Sequence, residues 1–266
     1  PQDGRWEWSV KSYAVTMRVS SLPSLYGEAI VCRLMGNEGV HKNLLELGMD
    51  VELQEKIAAL LKRPYGLITI CGPTGSGKTA TLYAMLRMLN LKETKLICLE
   101  DPVEATIEGA IQIGINEKIG FTFSKGLRTV LRQDPDSIMI GEIRDNETAQ
   151  LAVKAALTGH RVITTVHTNT ALGVIGRLVD MGVEPYLLHA TLIGSLSQRL
   201  VRRIDSTTHS YQGRLGLFEY LEIPFSDIDW DHVEQYMFTS LQDSAHLAIN
   251  SGITTLEEVH RAGILL

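Results

Sequence analysis

Gly72-Pro73-Thr74-Gly75-Ser76-Gly77-Lys78-Thr79 has the residue types and spacing of a phosphate-binding loop, G-x-x-x-x-G-K-[ST]. Its glycines let the backbone wrap a phosphate chain and present N–H groups at a helix start, where the helix dipole favours anions. In such a loop Lys78 reaches the β- and γ-phosphates and the Thr79 hydroxyl binds Mg²⁺. A chance glycine-rich turn would share the composition. The context argues against it, because an apolar run at 67–71 leads in and a helix-forming stretch at 79–89 follows.

Three groups of titratable residues follow apolar runs further along. Leu96-Ile97-Cys98-Leu99 leads into Glu100-Asp101-Pro102-Val103-Glu104, and Ile138-Met139-Ile140 leads into Gly141-Glu142-Ile143-Arg144-Asp145. Val162-Ile163-Thr164-Thr165-Val166 leads into His167-Thr168-Asn169. A carboxylate can hold Mg²⁺ directly or through water. A second can orient and deprotonate an attacking water, and a polar residue at a third strand end can sense a γ-phosphate. Any one acidic group alone reads more readily as a solvated loop. Three at the ends of three apolar strands, downstream of a phosphate loop, favour a site, because ligands of open α/β sheets lie beyond the carboxyl ends of the strands.

Positioning these groups takes alternating strands and helices. Residues 67–71, 96–99, 138–140 and 162–166 are compact apolar runs with strand character. Helical stretches at 79–89, 146–157 and 172–181 lie between or after them, the last two closed by Gly159 and Gly182. This alternation predicts an α/β fold with a mostly parallel sheet covered on both faces. Upstream, residues 1–40 read as strands and turns. Val15, Met17 and Val19 alternate with polar residues, and Ile30-Val31-Cys32-Arg33-Leu34 follows a turn at Tyr26-Gly27. Gly36-Asn37-Glu38-Gly39 reads as a linker. Asp50 then caps a helix whose face is Leu53, Ile57, Leu60 and Leu61, stopped near Pro64. After residue 200 the pattern becomes irregular, with a hairpin expected around 215–223 and short helices to the end.

The bulk properties narrow the function class. Of 266 residues, 44% are hydrophobic and 21% charged, the make-up of a globular protein with room for a sizeable core. A net charge of −6 and an aromatic content of 6% give no basic, aromatic-studded track for nucleic acid. No window approaches the apolar length of a membrane span. Cys32, Cys71 and Cys98 are the three cysteines, each in an apolar run without metal-ligand spacing. They read as reduced core residues of a cytosolic protein. A start at Pro1-Gln2-Asp3-Gly4-Arg5 suggests a fragment lacking upstream domains.

Taken in order, these elements resemble the secretion-ATPase family that powers type II secretion and type IV pili. Gly72 to Thr79 is similar to its Walker A, and Glu100-Asp101-Pro102-Val103-Glu104 to its Asp box. Leu127-Arg128, Arg132-Gln133-Asp134-Pro135-Asp136 and Gly141-Glu142-Ile143-Arg144-Asp145 are similar to its Walker B region. That Walker B is atypical, because Gly141 stands where most P-loop enzymes carry Asp, which leaves Glu142 as the magnesium-side acid. Thr158-Gly159-His160 with His167-Thr168-Asn169 resembles the His box. Arg18-Val19-Ser20-Ser21-Leu22-Pro23, Gly27-Glu28 and Arg33 resemble the end of the family's second N-terminal domain. Met181-Gly182-Val183-Glu184-Pro185-Tyr186, Gln198-Arg199-Leu200-Val201-Arg202-Arg203 and Gly252-Ile253-Thr254-Thr255-Leu256-Glu257-Glu258-Val259 resemble assembly ATPases more than retraction ATPases.

The resemblance implies residues 1–38 as the C-terminal part of a PAS-like N-terminal domain. It implies 39–266 as a RecA-like motor domain with a helical C-terminal region. It assigns the loop Gly72, Pro73, Thr74, Gly75, Ser76, Gly77, Lys78 and Thr79 to ATP, Thr79 and Glu142 to Mg²⁺, and His167 to the His box. Glu104 is the expected water-activating base, with Glu100 as rival because a strand end holds it more firmly. Arg18 and Arg33 match the family's arginine fingers, expected to reach nucleotide across a subunit boundary; each alone reads more readily as a surface strand arginine. The implied assembly is a homo-hexamer at the cytoplasmic face of the inner membrane, acting on a platform protein. Many assembly ATPases carry a four-cysteine zinc subdomain after the Gln-Arg-Leu-Val-Arg-Arg segment. Here Ile204-Asp205-Ser206-Thr207-Thr208-His209-Ser210 follows instead, so no structural zinc is expected. A retraction ATPase is the nearest alternative, followed by a nucleic-acid translocase and a nucleotide-gated scaffold that barely turns over.

Overall fold

Antiparallel strands β1 (Gln2–Val10), β2 (Tyr13–Ser24) and β3 (Gly27–Met35) form one three-stranded sheet in the computed structural model. The structure describes residues 2–10, 13–35, 39–208, 210–224, 226 and 228–266; side chains at 5, 7–10, 13–16, 18, 34 and 35 lie outside the description. Residues 36–38 of the linker expected at 36–39, and His209, fall outside it too. Leu25 and Tyr26 make the turn between β2 and β3, where Ser24 pairs with Gly27. In the same register Arg18 is the cross-strand partner of Arg33.

Helix α1 (Val51–Leu61) starts where Asp50 accepts a hydrogen bond from Leu53 N at 2.8 Å, and it buries Leu53, Ile57, Leu60 and Leu61. The chain then alternates through β4 (Gly66–Cys71), α2 (Lys78–Arg87), β5 (Leu96–Glu100), β6 (Ile111–Gly114) and α3 (Phe123–Val130). It continues through β7 (Ser137–Ile140), α4 (Asn146–Leu157), β8 (Arg161–Val166), α5 (Gly173–Asp180) and α6 (Pro185–Thr191). Strands β9 (Leu192–Ile204), β10 (Tyr211–Glu222) and β11 (Met237–Thr239) and helices α7 (Leu241–Asn250) and α8 (Leu256–Arg261) complete it.

The second sheet has eight strands in the order β11-β10-β9-β4-β8-β7-β5-β6. From β9 to β6 all pairs are parallel, and β10 and β11 extend the sheet antiparallel. This is the RecA-like α/β architecture expected. Alternate residues of each central strand enter opposite cores, as a period of two requires. Leu67, Ile97, Leu99, Ile138, Ile140 and Val162 pack with α3 to α6 on one face. Ile68, Ile70, Leu96, Cys98, Met139 and Ile163 pack with α1 and α2 on the other.

The structure differs from the sequence reading in four places. Residues 215–223 are not a hairpin of their own: they lie in β10 and its end, and the hairpin is the longer one that β10 makes with β9. Burial hid β9, whose continuously buried run 194–199 carries Ser197, Gln198 and Arg199 into the interior. Strand β6 and helix α3 were not read either, being four and eight residues long.

Helices α7 and α8 pack their apolar faces on β9 and β10 through Val201, Leu217, Leu241, Ala245, Ala248, Val259 and Ile264. A polar clasp adds to this. Glu258, 1% exposed, accepts from Arg202 and, at 2.8–2.9 Å, from Arg261, while Arg202 stacks over Tyr211 at 4.2 Å. Arg202, with Arg261, holds the Glu258 carboxyl well below the usual carboxylate range. Its stabilisation is thus fully present above the ordinary glutamate range and is lost progressively as pH falls below that range toward the lowered folded-state value. Glu258→Gln should lower Tm by about 2–4 °C at neutral pH, and the gap from wild type should narrow in acid, as read by thermal denaturation from pH 7 down to pH 3.

Candidate active site

The loop between β4 and α2 needs glycine for steric reasons. Gly72 has φ +143 and a Cβ there would lie 2.5 Å from Gln198 O; Gly77 has φ +91 and a Cβ would lie 2.9 Å from Gln198 Nε2. Close packing on β9 therefore shapes the loop. Gly77 supplies no side-chain cap to α2, whereas Asp50, Thr122 and Asp145 cap α1, α3 and α4. The first-turn amides of α2 are thus left to an anion. Lys78 curls over the loop and donates to Gly72 O at 2.8 Å and Pro73 O at 3.0 Å. Burial pulls the Lys78 ammonium below its ordinary value. An amide nest, a desolvated cation and the exposed Thr79 hydroxyl fit a polyphosphate and its Mg²⁺.

Strands β5, β7 and β8 end on the same side. Gly141 N donates to Leu99 O at 2.8 Å, Ile143 N to Thr165 O at 3.0 Å, and Thr165 Oγ1 to Gly141 O at 2.7 Å. These bonds pin the 141–145 turn between its neighbours. A Cβ at position 141 would meet Leu99 O at 3.2 Å, which leaves little room for a carboxylate there. Glu142 instead faces the cleft. It pairs with Arg144 at 2.5 Å and His167 Nε2 at 3.3 Å, and Arg144 also approaches Asp101 at 3.9 Å. Burial pushes the Glu142 carboxyl up, but Arg144 and His167 together more than offset this and hold it below the usual range.

One cleft is lined by Thr74, Gly75, Lys78, Thr79, Glu104, Glu142, Arg144, Thr165 and His167, with Asp3, Gly4 and Arg33 from the three-stranded sheet. The structure thus brings Lys78, Thr79, Glu104, Glu142, His167 and Arg33 to one place in one chain. The Arg18 side chain lies outside the description. On the other side of the loop, Val40, Leu47 and Leu200 form an apolar shelf beside Gly77 and Arg214.

Glu100 is elsewhere. It is 3% exposed, accepting from the Tyr83 hydroxyl and, at 2.9 Å, from Gln112 Nε2. Burial pushes its carboxyl up despite these donors. His160 opens β8 at the opposite end from His167 and bonds Ala155 O at 3.0 Å, and Asp145 is the cap of α4. Arg144, the partner of Glu142, was given no role on sequence grounds. Its place two residues after Glu142 was the available signal.

A protein-family model described as type II/IV secretion system protein matches residues 1–261. The chain is 52% identical over 204 residues to the type II secretion system protein E of Klebsiella pneumoniae, covering 77% of this chain and 41% of that protein. It is 40% identical over 306 residues to the type II secretion system ATPase E of Vibrio cholerae, covering 98% of this chain and 61% of that one. The second alignment is longer than the 266-residue chain, so that relative carries residues without a counterpart here. The chain spans about half the length of these relatives. Among solved structures it is similar to the pilus retraction motor PilT with bound ADP, with a TM-score of 0.76 and 29% identity over 98% of this chain and 77% of that one. Among the described residues, no helix is long and apolar enough to cross a membrane.

Proposed function

The chain belongs to the type II/IV secretion system protein family, and from that membership and the cleft we propose that it hydrolyses ATP as the motor part of a ring. The work is assembly of a type IV pilus or type II-like secretion, through an inner-membrane platform protein at the cytoplasmic face. The identity to type II secretion system proteins E, 40% and 52%, against 29% to a retraction motor, supports secretion or assembly over retraction. Residues 1–38 are the end of a preceding domain and 39–266 the motor domain.

The observation that carries this reading is the meeting of Lys78, Glu104, Glu142, His167 and Arg33 around one phosphate loop. Lys78 and the loop amides hold the β- and γ-phosphates. Thr79 and Glu142 would hold Mg²⁺, which neutralises charge on the phosphates when bound. Glu104, half-buried on the cleft wall, takes the proton of the attacking water and can return it to product phosphate. The apolar shelf at Val40, Leu47 and Leu200 suits the nucleotide's base. Glu100 is poorly placed for proton transfer, since both of its oxygens are engaged inside the protein.

Glu104→Gln is expected to lower kcat by about 10²–10⁴-fold while ATP still binds, so that ATP is trapped on the protein. Single-turnover hydrolysis and filter binding on the full-length protein read the two effects apart. Normal hydrolysis by Glu104→Gln would remove it as the base.

A further inference from the structure

Tyr83 sits one helical turn after Thr79 on α2, and its ring is fully buried. Its hydroxyl is a hub. It donates to Glu100 Oε2 and accepts from Glu104 N at 3.1 Å and Ala105 N at 3.3 Å. Gln112, on β6, closes the network from the far side. Its Nε2 donates to Glu100 Oε1 at 2.9 Å and to Ala105 O at 2.8 Å, and its Oε1 accepts from Ile107 N at 2.8 Å. The backbone at 104, 105 and 107 thus hangs from two side chains, with the Glu100 carboxylate binding them to each other.

We infer that Tyr83, Glu100 and Gln112 are positioning residues that fix Glu104 against the phosphate loop. The inference rests on the reading of Glu104 as the base. The physical reason lies in the loop itself. Residues 101–107 belong to no helix or strand, so their amides lack ladder partners, and those turned from water depend on side chains. Tyr83 and Glu100 are buried and Gln112 is half-buried, and mutually satisfied they form a stiff unit, because leaving a buried member unpaired costs its desolvation. Tyr83 and Thr79 share a face of α2, four residues apart. Any shift of α2 when nucleotide is held is therefore passed through the phenol to the backbone that carries Glu104. This also gives the buried Glu100 a use other than proton transfer.

Tyr83→Phe removes one hydroxyl and preserves the ring. In the full-length protein it should lower kcat by about 10- to 100-fold, with nucleotide affinity unchanged. The deciding measurement is a double-mutant cycle on single-turnover hydrolysis. If Tyr83 acts through Glu104, adding Tyr83→Phe to Glu104→Gln causes no further loss. Multiplying losses, or an unchanged kcat in Tyr83→Phe, would overturn the inference. Normal hydrolysis by Glu104→Gln alone would instead overturn the base assignment, a separate result. Gln112→Met gives the same cycle from the partly exposed β6 side if Tyr83→Phe does not fold: non-additivity with Glu104→Gln is expected, and additivity overturns the inference.

Discussion

Lys78→Ala is expected to abolish ATP hydrolysis while leaving the fold intact. Removal of a single preorganised charge-stabilising donor costs about 10²–10³-fold in other active sites, and Lys78 adds a full positive charge to that role. Stability should respond in the opposite sense to activity. The ammonium is desolvated by the loop, and it donates to the carbonyls of Gly72 and Pro73. Alanine removes that burden and favours the first turn of α2, so nucleotide-free Tm should hold or rise. Added ATP and Mg²⁺ should raise Tm for wild type by mass action and should do so far less for the variant. Wild-type turnover in a folded Lys78→Ala protein would detach the chemistry from this loop. A cooperative loss of structure would instead make Lys78 a packing residue.

Local chemistry wrote most of this fold legibly into the chain. The phosphate loop could be read because its glycines answer a steric demand at known spacing. Asp50, Gly159 and Gly182 could be read because a helix must satisfy its ends. Strands β4, β5, β7 and β8 stood out as short apolar runs, since burial on both faces leaves no polar alternation. The same burial concealed β9: it places Ser197, Gln198 and Arg199 inside, where their partners come from distant segments such as Asn169 and Thr81. No local pattern announces a polar strand satisfied from afar. The choice between Glu100 and Glu104 was illegible for a related reason. A strand end does hold Glu100 firmly, but it turns the side chain toward Tyr83 and Gln112, and neither residue marks itself in sequence as the partner. Arg144 is similar: its spacing from Glu142 is visible, but the ion pair depends on the turn held between Leu99 and Thr165.

Loss of the β2–β3 arginines should cost nearly as much as loss of Lys78, and each chain should depend on its own pair. Sequence reasoning expected these arginines to act across a subunit boundary. The structure places Arg33, with Asp3 and Gly4, on the wall of the cleft that holds Lys78 and Glu142 of the same chain. Arg18 is its cross-strand partner in register. A guanidinium there can stabilise charge spreading over the γ-phosphoryl oxygens, worth about 10³–10⁵-fold in P-loop enzymes. Arg18→Ala/Arg33→Ala should therefore fall toward the lower end of that range, given how open the cleft is to water around Arg33. Because the arginines and the phosphate loop sit on different sheets, a change in the spacing of the sheets would couple to hydrolysis in the proposed function. Mixed assemblies distinguish the two geometries. A Lys78→Ala chain keeps its arginines, and an Arg18→Ala/Arg33→Ala chain keeps its loop. If the arginines serve their own chain, mixing gives only the sum of two inactive populations, however well the subunits exchange. Recovery of turnover in verified mixed assemblies would show that the arginines reach a neighbour's nucleotide, and would overturn the in-chain assignment that the cleft supports.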